Sequence, residues 1–139
     1  MTCLWFNSEG EEAAKFYVSL FKDARILRKT HYGKGMPMPE GAVLTVDFVL
    51  EGREFMALNG GMDSPFTQAH SMVVICDGQE EVDRLWAALG QGGKPVACGW
   101  ITDRYGLSWQ IVPRIMMNYL SEPDAEKRDR VMAAMMQMV

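Results

Sequence analysis
Nowhere does the sequence hold the roughly 20 consecutive apolar residues that a membrane-crossing helix needs. Its opening, Met1-Thr2-Cys3-Leu4-Trp5-Phe6-Asn7, lacks the basic stretch that starts a secretory signal, so none is expected. Positive charge is also short, with 14 Lys and Arg against 18 Asp and Glu, a net charge of −4. Phosphate recognition needs a basic face, so nucleic acid is not expected as a partner, and neither is a membrane. Cysteine is sparse: Cys3, Cys76 and Cys98 are odd in number and show no CxxC spacing. They read as reduced, mostly buried thiols in a cytoplasmic setting, with Cys98, followed by Gly99-Trp100, the candidate for a reactive thiol.

What is present suffices for one folded domain. The 139 residues are 48% hydrophobic and 23% charged, enough to close a core. Cys3 to Asn7 is strand-like. Ser8 with Glu11 three residues on matches a capping box, and Ala13, Phe16, Tyr17 and Leu20 follow at helical spacing. Residues 25–32 read as a charged strand, and residues 33–41 as a long Gly/Pro loop. Strands at 42–50 and 53–59 flank a tight turn at Glu51-Gly52, and in the first of them Val43, Thr45, Asp47 and Val49 share one face. Beyond an irregular stretch at 60–68, residues 71–76 are again strand-like. Asp77 stands as a cap before Val82, Leu85, Trp86 and Leu89 at helical spacing, and short strands follow up to residue 112. Pro123 sits in the first-turn region expected of a C-terminal helix over 122–139, whose Met132, Met135, Met136, Met138 and Val139 read as an apolar, adaptable face.

Shifting the chain by 69 residues lays Cys3-Leu4-Trp5-Phe6 on Met72-Val73-Val74-Ile75, Ser8 on Asp77, Glu11-Glu12 on Glu80-Glu81 and Leu20 on Leu89. Polarity agrees through a strand and a helix. The expected fold is therefore α+β: two βαβββ modules, about 1–62 and 69–113, forming curled mixed sheets around a cleft, within one domain of 1–139 that includes the C-terminal helix. A cleft of that kind suits a small molecule.

The segments Cys3 to Asn7 with Ala13, Phe16 and Tyr17, then Phe55 to Gly61, and above all Cys98 to Pro113, resemble the PhnB-like family of the vicinal oxygen chelate superfamily, which also holds glyoxalase I, extradiol dioxygenases and bleomycin-resistance proteins. The family carries the description 3-demethylubiquinone-9 3-methyltransferase. The chain has no glycine-rich strand-to-helix turn for S-adenosylmethionine, so that cofactor is not expected. The resemblance implies a divalent metal held by His, Glu or Gln from inner strands, and a homodimer. At the matching positions the chain offers Gln110, Phe55 or Met56, Trp5 or Phe6, and Ala69, His70 or Ser71. Only His70 is an ordinary ligand for such an ion, so no cofactor is expected. His70 is more simply a strand-end histidine, and His31 a surface one.

The expected site is a ligand pocket with aromatic walls and neutral polar tips: Trp5, Asn59, Ser71, Trp100 and Gln110. Each has a plainer role, the tryptophans (Trp109 included) as core and Gln110 as a partner for buried backbone. Three functions compete: binding of a small organic molecule without a metal; a metal-dependent lyase, isomerase or dioxygenase using His70 and ligands from a partner chain; and a structural or interaction dimer with a filled cleft.

Overall fold
The structure, a computed structural model, describes residues 1–136. It contains β1 (Thr2–Phe6), α1 (Gly10–Ser19), β2 (Ala24–His31), β3 (Val43–Leu50), β4 (Arg53–Asn59), β5 (Met72–Cys76), α2 (Gln79–Gly90), β6 (Lys94–Pro95), β7 (Trp100–Thr102), β8 (Ser108–Pro113), α3 (Arg114–Leu120) and α4 (Ala125–Met136). Two compact units, Met1–Pro65 and Phe66–Val139, each carry one four-stranded mixed sheet. None of the helices in the described residues is long and apolar enough to cross a membrane.

The strand orders are β1-β4-β3-β2 and β5-β8-β7-β6, so the wiring is the same. In each unit the first strand passes through a helix and then pairs in parallel with the last: Thr2 with Phe55, and Met72 with Trp109. The remaining pairs are antiparallel. This is the α+β duplication that the sequence repeat predicts, and it is consistent with a two-module glyoxalase-like fold.

Alternation sets the faces. In the first unit Val46, Phe48, Leu50, Phe55 and Ala57 are buried beside α1, with Phe48 against Tyr17 (centroids 6.4 Å apart) and stacked on Phe55 (5.5 Å). In the second unit Leu85 and Leu89 of α2 are fully buried, as are Ile101 and Trp109, which pair across β7 and β8. Burying such side chains supplies most of the driving force for each module.

The register refines the repeat. The helix starts, Gly10 and Gln79, are 69 residues apart, but the strands Thr2–Phe6 and Met72–Cys76 are offset by 70. The β1–α1 connection is one residue longer than the β5–α2 connection. The 69-residue shift lays Leu4 on Val73; in the structure Leu4 is 1% exposed and Val73 54%. The structural counterpart of Leu4 is the half-buried Val74, and that of Phe6 is the buried Cys76.

Both expected helix caps move. Ser8 and Asp77 each lie one residue before the N-cap positions, Glu9 and Gly78, and neither helix start has a local side-chain cap. Asp77 instead accepts from Arg114 Nε (2.5 Å), joining α3 to the start of α2. The C-terminal region holds two helices rather than one. Pro123 stands before α4, not in its first turn, and Asp124 Oδ1 accepts from Glu126 N (3.1 Å) as the cap. Met132 is exposed; the side chains of Met135 and Met136, together with Met138 and Val139, lie outside the described residues.

Candidate functional site
Each sheet has one face against its helix and one turned away, and the pairing register decides which candidates share the latter. On the second sheet Val73 pairs with Gln110 and Gln110 with Trp100, all turned away from α2. Gln110 Nε2 donates to Ser71 Oγ (2.8 Å), which holds the amide in place and leaves its Oε1 as an acceptor. Three of the five predicted ligand-binding residues, Ser71, Trp100 and Gln110, thus gather on one face. Val73 and Ile75 lie exposed along the same face.

The segment that feeds Gln110 and Trp100 into place is built by Asp103. This buried carboxylate accepts from Tyr105 N (2.8 Å), Leu107 N (3.1 Å) and Trp109 Nε1 (2.9 Å). Trp109 is 1% exposed, so it is core and not ligand wall. Before Trp100 the chain turns through Cys98 (φ 61°) and Gly99 (φ 79°), with Trp100 N donating to Ala97 O (3.2 Å). Two consecutive left-handed residues define a type I′ turn, a conformation Asn-Gly adopts readily and a cysteine does not. Cys98 is therefore a strained turn residue.

On the first sheet Trp5 turns away from α1. Its Nε1 donates to Met62 O (2.9 Å), and a Cβ at position 60 would lie 1.9 Å from its ring, so Gly60 lets the indole lie flat on the backbone. Asn59 has a different task. It is 4% exposed, its Oδ1 accepts from Gly10 N (2.7 Å), and its Nδ2 donates to Val43 O (3.1 Å). Tyr32 Oη donates to its backbone carbonyl. Asn59 caps α1 from a strand, and glycine at position 10 permits the approach, since a Cβ there would stand 2.6 Å from Oδ1. Its amide is committed to the fold.

The same register tests the metal that the family resemblance implies. Phe55 and Phe6 point into the core, leaving Met56 and Trp5 on the face away from α1, with Cys3 paired to Met56. Met56 on β4 corresponds to Gln110 on β8. Indole, thioether and amide are poor ligands for a hard divalent cation. The Cys3 thiol, exposed rather than buried as expected, has its pKa raised by partial desolvation of the sulfur, which disfavours the thiolate a metal needs. His70 lies in a turn before β5 with its ring 5.7 Å from Phe66. Among the described residues no group of three or more His, Cys, Asp or Glu side chains gathers as ligands. These residues do not fit a catalytic metal. The strand-to-helix connections, Asn7-Ser8-Glu9 and Asp77-Gly78, also differ from the glycine-rich turn with which a doubly wound sheet holds a nucleotide.

Sequence reading passed over Asp47. It sits mid-strand on β3, 5% exposed, with Oδ2 accepting from Arg28 Nε (2.7 Å). Alternation places it on the polar face, but no local signal marks it as buried.

A two-module α+β chain with this topology and these faces defines a class, and the comparisons give the family. The family described as 3-demethylubiquinone-9 3-methyltransferase matches residues 1–112, and the chain belongs to it. A PhnB protein from Bacillus cereus is 35% identical, with 81% of this chain and 97% of that one covered and a TM-score of 0.73. Protein PA1353 from Pseudomonas aeruginosa, 23% identical over 81% of this chain and 94% of that one (TM-score 0.64), shares the fold. None of the curated proteins matches the chain at a significant level.

Proposed function
We propose that this chain is a PhnB-like protein of the vicinal oxygen chelate superfamily that binds a compact organic molecule on the face of its second sheet turned away from α2, without the superfamily's divalent metal. One observation carries the reading. Ser71 and Gln110 form a preset polar pair, Trp100 stands beside them, and Val73 and Ile75 extend the surface as exposed aliphatic side chains. A few fixed polar groups within an apolar wall is how small-molecule sites are generally built. Cys3 and Cys98, neither of them in a disulfide, suit a cytoplasmic, reducing setting for the same protein.

The test is a thermal-shift screen of the full chain against small acids, quinones and aromatic antibiotics, because a ligand of the native state raises its melting temperature by mass action. Gln110→Ala should weaken binding of any hit about tenfold, the usual consequence of losing one well-placed hydrogen bond, with the apo melting temperature unchanged. Full affinity in that variant would remove Gln110 from the site. Near-stoichiometric metal in protein purified without chelators would favour the lyase, isomerase or dioxygenase reading instead.

A further inference from the structure
Resting on that small-molecule reading, we propose the class of the ligand: a neutral molecule that presents an N–H beside a C=O, as a primary amide, lactam or urea does, on a compact apolar body. The Ser71–Gln110 pair sets this requirement. Gln110 Nε2 spends one N–H on Ser71 Oγ (2.8 Å), while its second N–H, its Oε1 and the Ser71 hydroxyl proton have no partner among the described residues. Both residues are half-buried, so solvent reaches them and a ligand can. Turning the Gln110 amide over reverses the bond to Ser71 and keeps the tally: the nitrogen then offers a donor and Ser71 Oγ an acceptor. In either arrangement a donor and an acceptor face outward together.

The neighbours set by the register select the rest of the molecule. Gln110 stands in a row between Val73 and Trp100, and Ile75 lies two residues along β5 on the same face. Val73 and Ile75 are exposed and Trp100 is half-buried, which gives an apolar body a surface to cover. The row on the other side of Gln110 holds Lys94, Thr102 and Ser108. Its two hydroxyls donate or accept as required, so they do not choose between ligand groups. Lys94 is two strands away from Gln110, on the edge strand β6, so no charge in these rows adjoins the amide to balance an ionic ligand. A ketone would leave the Gln110 acceptor unmatched, an amidinium would leave the donor unmatched, and a carboxylate would set oxygen against Oε1.

Titration calorimetry of the full chain with benzamide, acetophenone, benzamidine and benzoate tests this. Wild type should bind benzamide at least about tenfold more tightly than acetophenone, which lacks the N–H, or benzamidine, which lacks the C=O. The near-isosteric Gln110→Glu is the sharper probe. Its carboxylate takes the Ser71 proton, so the pair presents oxygen alone, and benzamidine should overtake benzamide. Urea melts of the variant check that it is folded. Binding by wild type with no preference for benzamide, or an order unchanged in Gln110→Glu, overturns the amide class while leaving the binding reading intact. Tightest binding of benzoate does the same, and moves the anchor to Lys94. If none of the four binds, the hits of the earlier screen decide: hits bearing an N–H beside a C=O support the class, and hits without one overturn it. Absence of binding in both sets overturns the binding reading itself, and the class with it.

Discussion

The two modules run their strands in the same order, yet each secures a different part of that plan with a distant side chain. In the first, Asn59 at the end of β4 reaches Gly10 and caps the helix, and the β3–β4 turn is a bare two-residue reversal through Glu51 (φ 48°) and Gly52 (φ 85°). In the second, the position equivalent to Asn59 is Pro113, paired with Cys76 as Asn59 is with Phe6. Proline has no amide to offer. There the corresponding β7–β8 turn is tied by Asp103 through three hydrogen bonds. The lesson is that a duplicated topology fixes where strands go, while the polar groups that close its ends are chosen separately in each copy.

The comparison breaks most visibly at Asp103. Asp103→Ala should lower stability by about 4 kcal/mol, because it leaves Trp109 Nε1 and two backbone N–H groups without their acceptor. The urea midpoint measures this, and a loss below about 1 kcal/mol would show that the tie is dispensable. Next in size, Asn59→Ala should cost about 3 kcal/mol by orphaning Gly10 N–H and the Val43 carbonyl. Helical circular dichroism during the melt reports whether α1 frays first. A smaller effect of opposite sign is expected at the two type I′ turns. Cys98→Asn and Glu51→Asn should each stabilise by about 0.5–1 kcal/mol, since asparagine tolerates the left-handed backbone better. A loss at position 98 would mean that the thiol makes a contact worth more than the strain.

The smallest effect concerns an ion pair between α1 and β2. Lys29 Nζ lies 2.8 Å from Glu11 Oε2, and this hydrogen bond, chiefly, lowers the Glu11 pKa. A carboxyl whose pKa is lower folded than unfolded contributes stability above the unfolded value and loses it as pH falls through the folded one. Glu11→Gln should therefore cost no more than about 0.5 kcal/mol at neutral pH, as for other largely exposed pairs, and the difference should vanish in acid. Melting curves of both proteins across the pH range below the usual glutamate value check the sign.

The sequence exposed most of the fold because periodicity is local information. Val46, Phe48 and Leu50 alternate with Thr45, Asp47 and Val49, and that alone orients β3. The Ser71, Trp100 and Gln110 cluster was legible for the same reason, since strand parity puts residues on a common face once the pairing is given. The capping of α1 was hidden: Ser8 and Glu11 carry the local signature, but the acceptor arrives from Asn59, 49 residues away. Asp47 was hidden as well, because a carboxylate on a polar strand face reads as solvated until its neighbours are placed. Helix α3 was missed because Arg114 to Leu120 follows directly on β8 with no capping residue.

The parallel pairing of β1 with β4 also sets an order of assembly. The β2–β3–β4 meander closes through short-range contacts, whereas Thr2 meets its neighbour only at Phe55. Loop-closure entropy delays such a contact. On the ribosome the first strand to be made is therefore the last of its sheet to find its place. Its alternating apolar side chains, Leu4 and Phe6, wait through the synthesis of α1 and the whole meander before they have a surface to cover them.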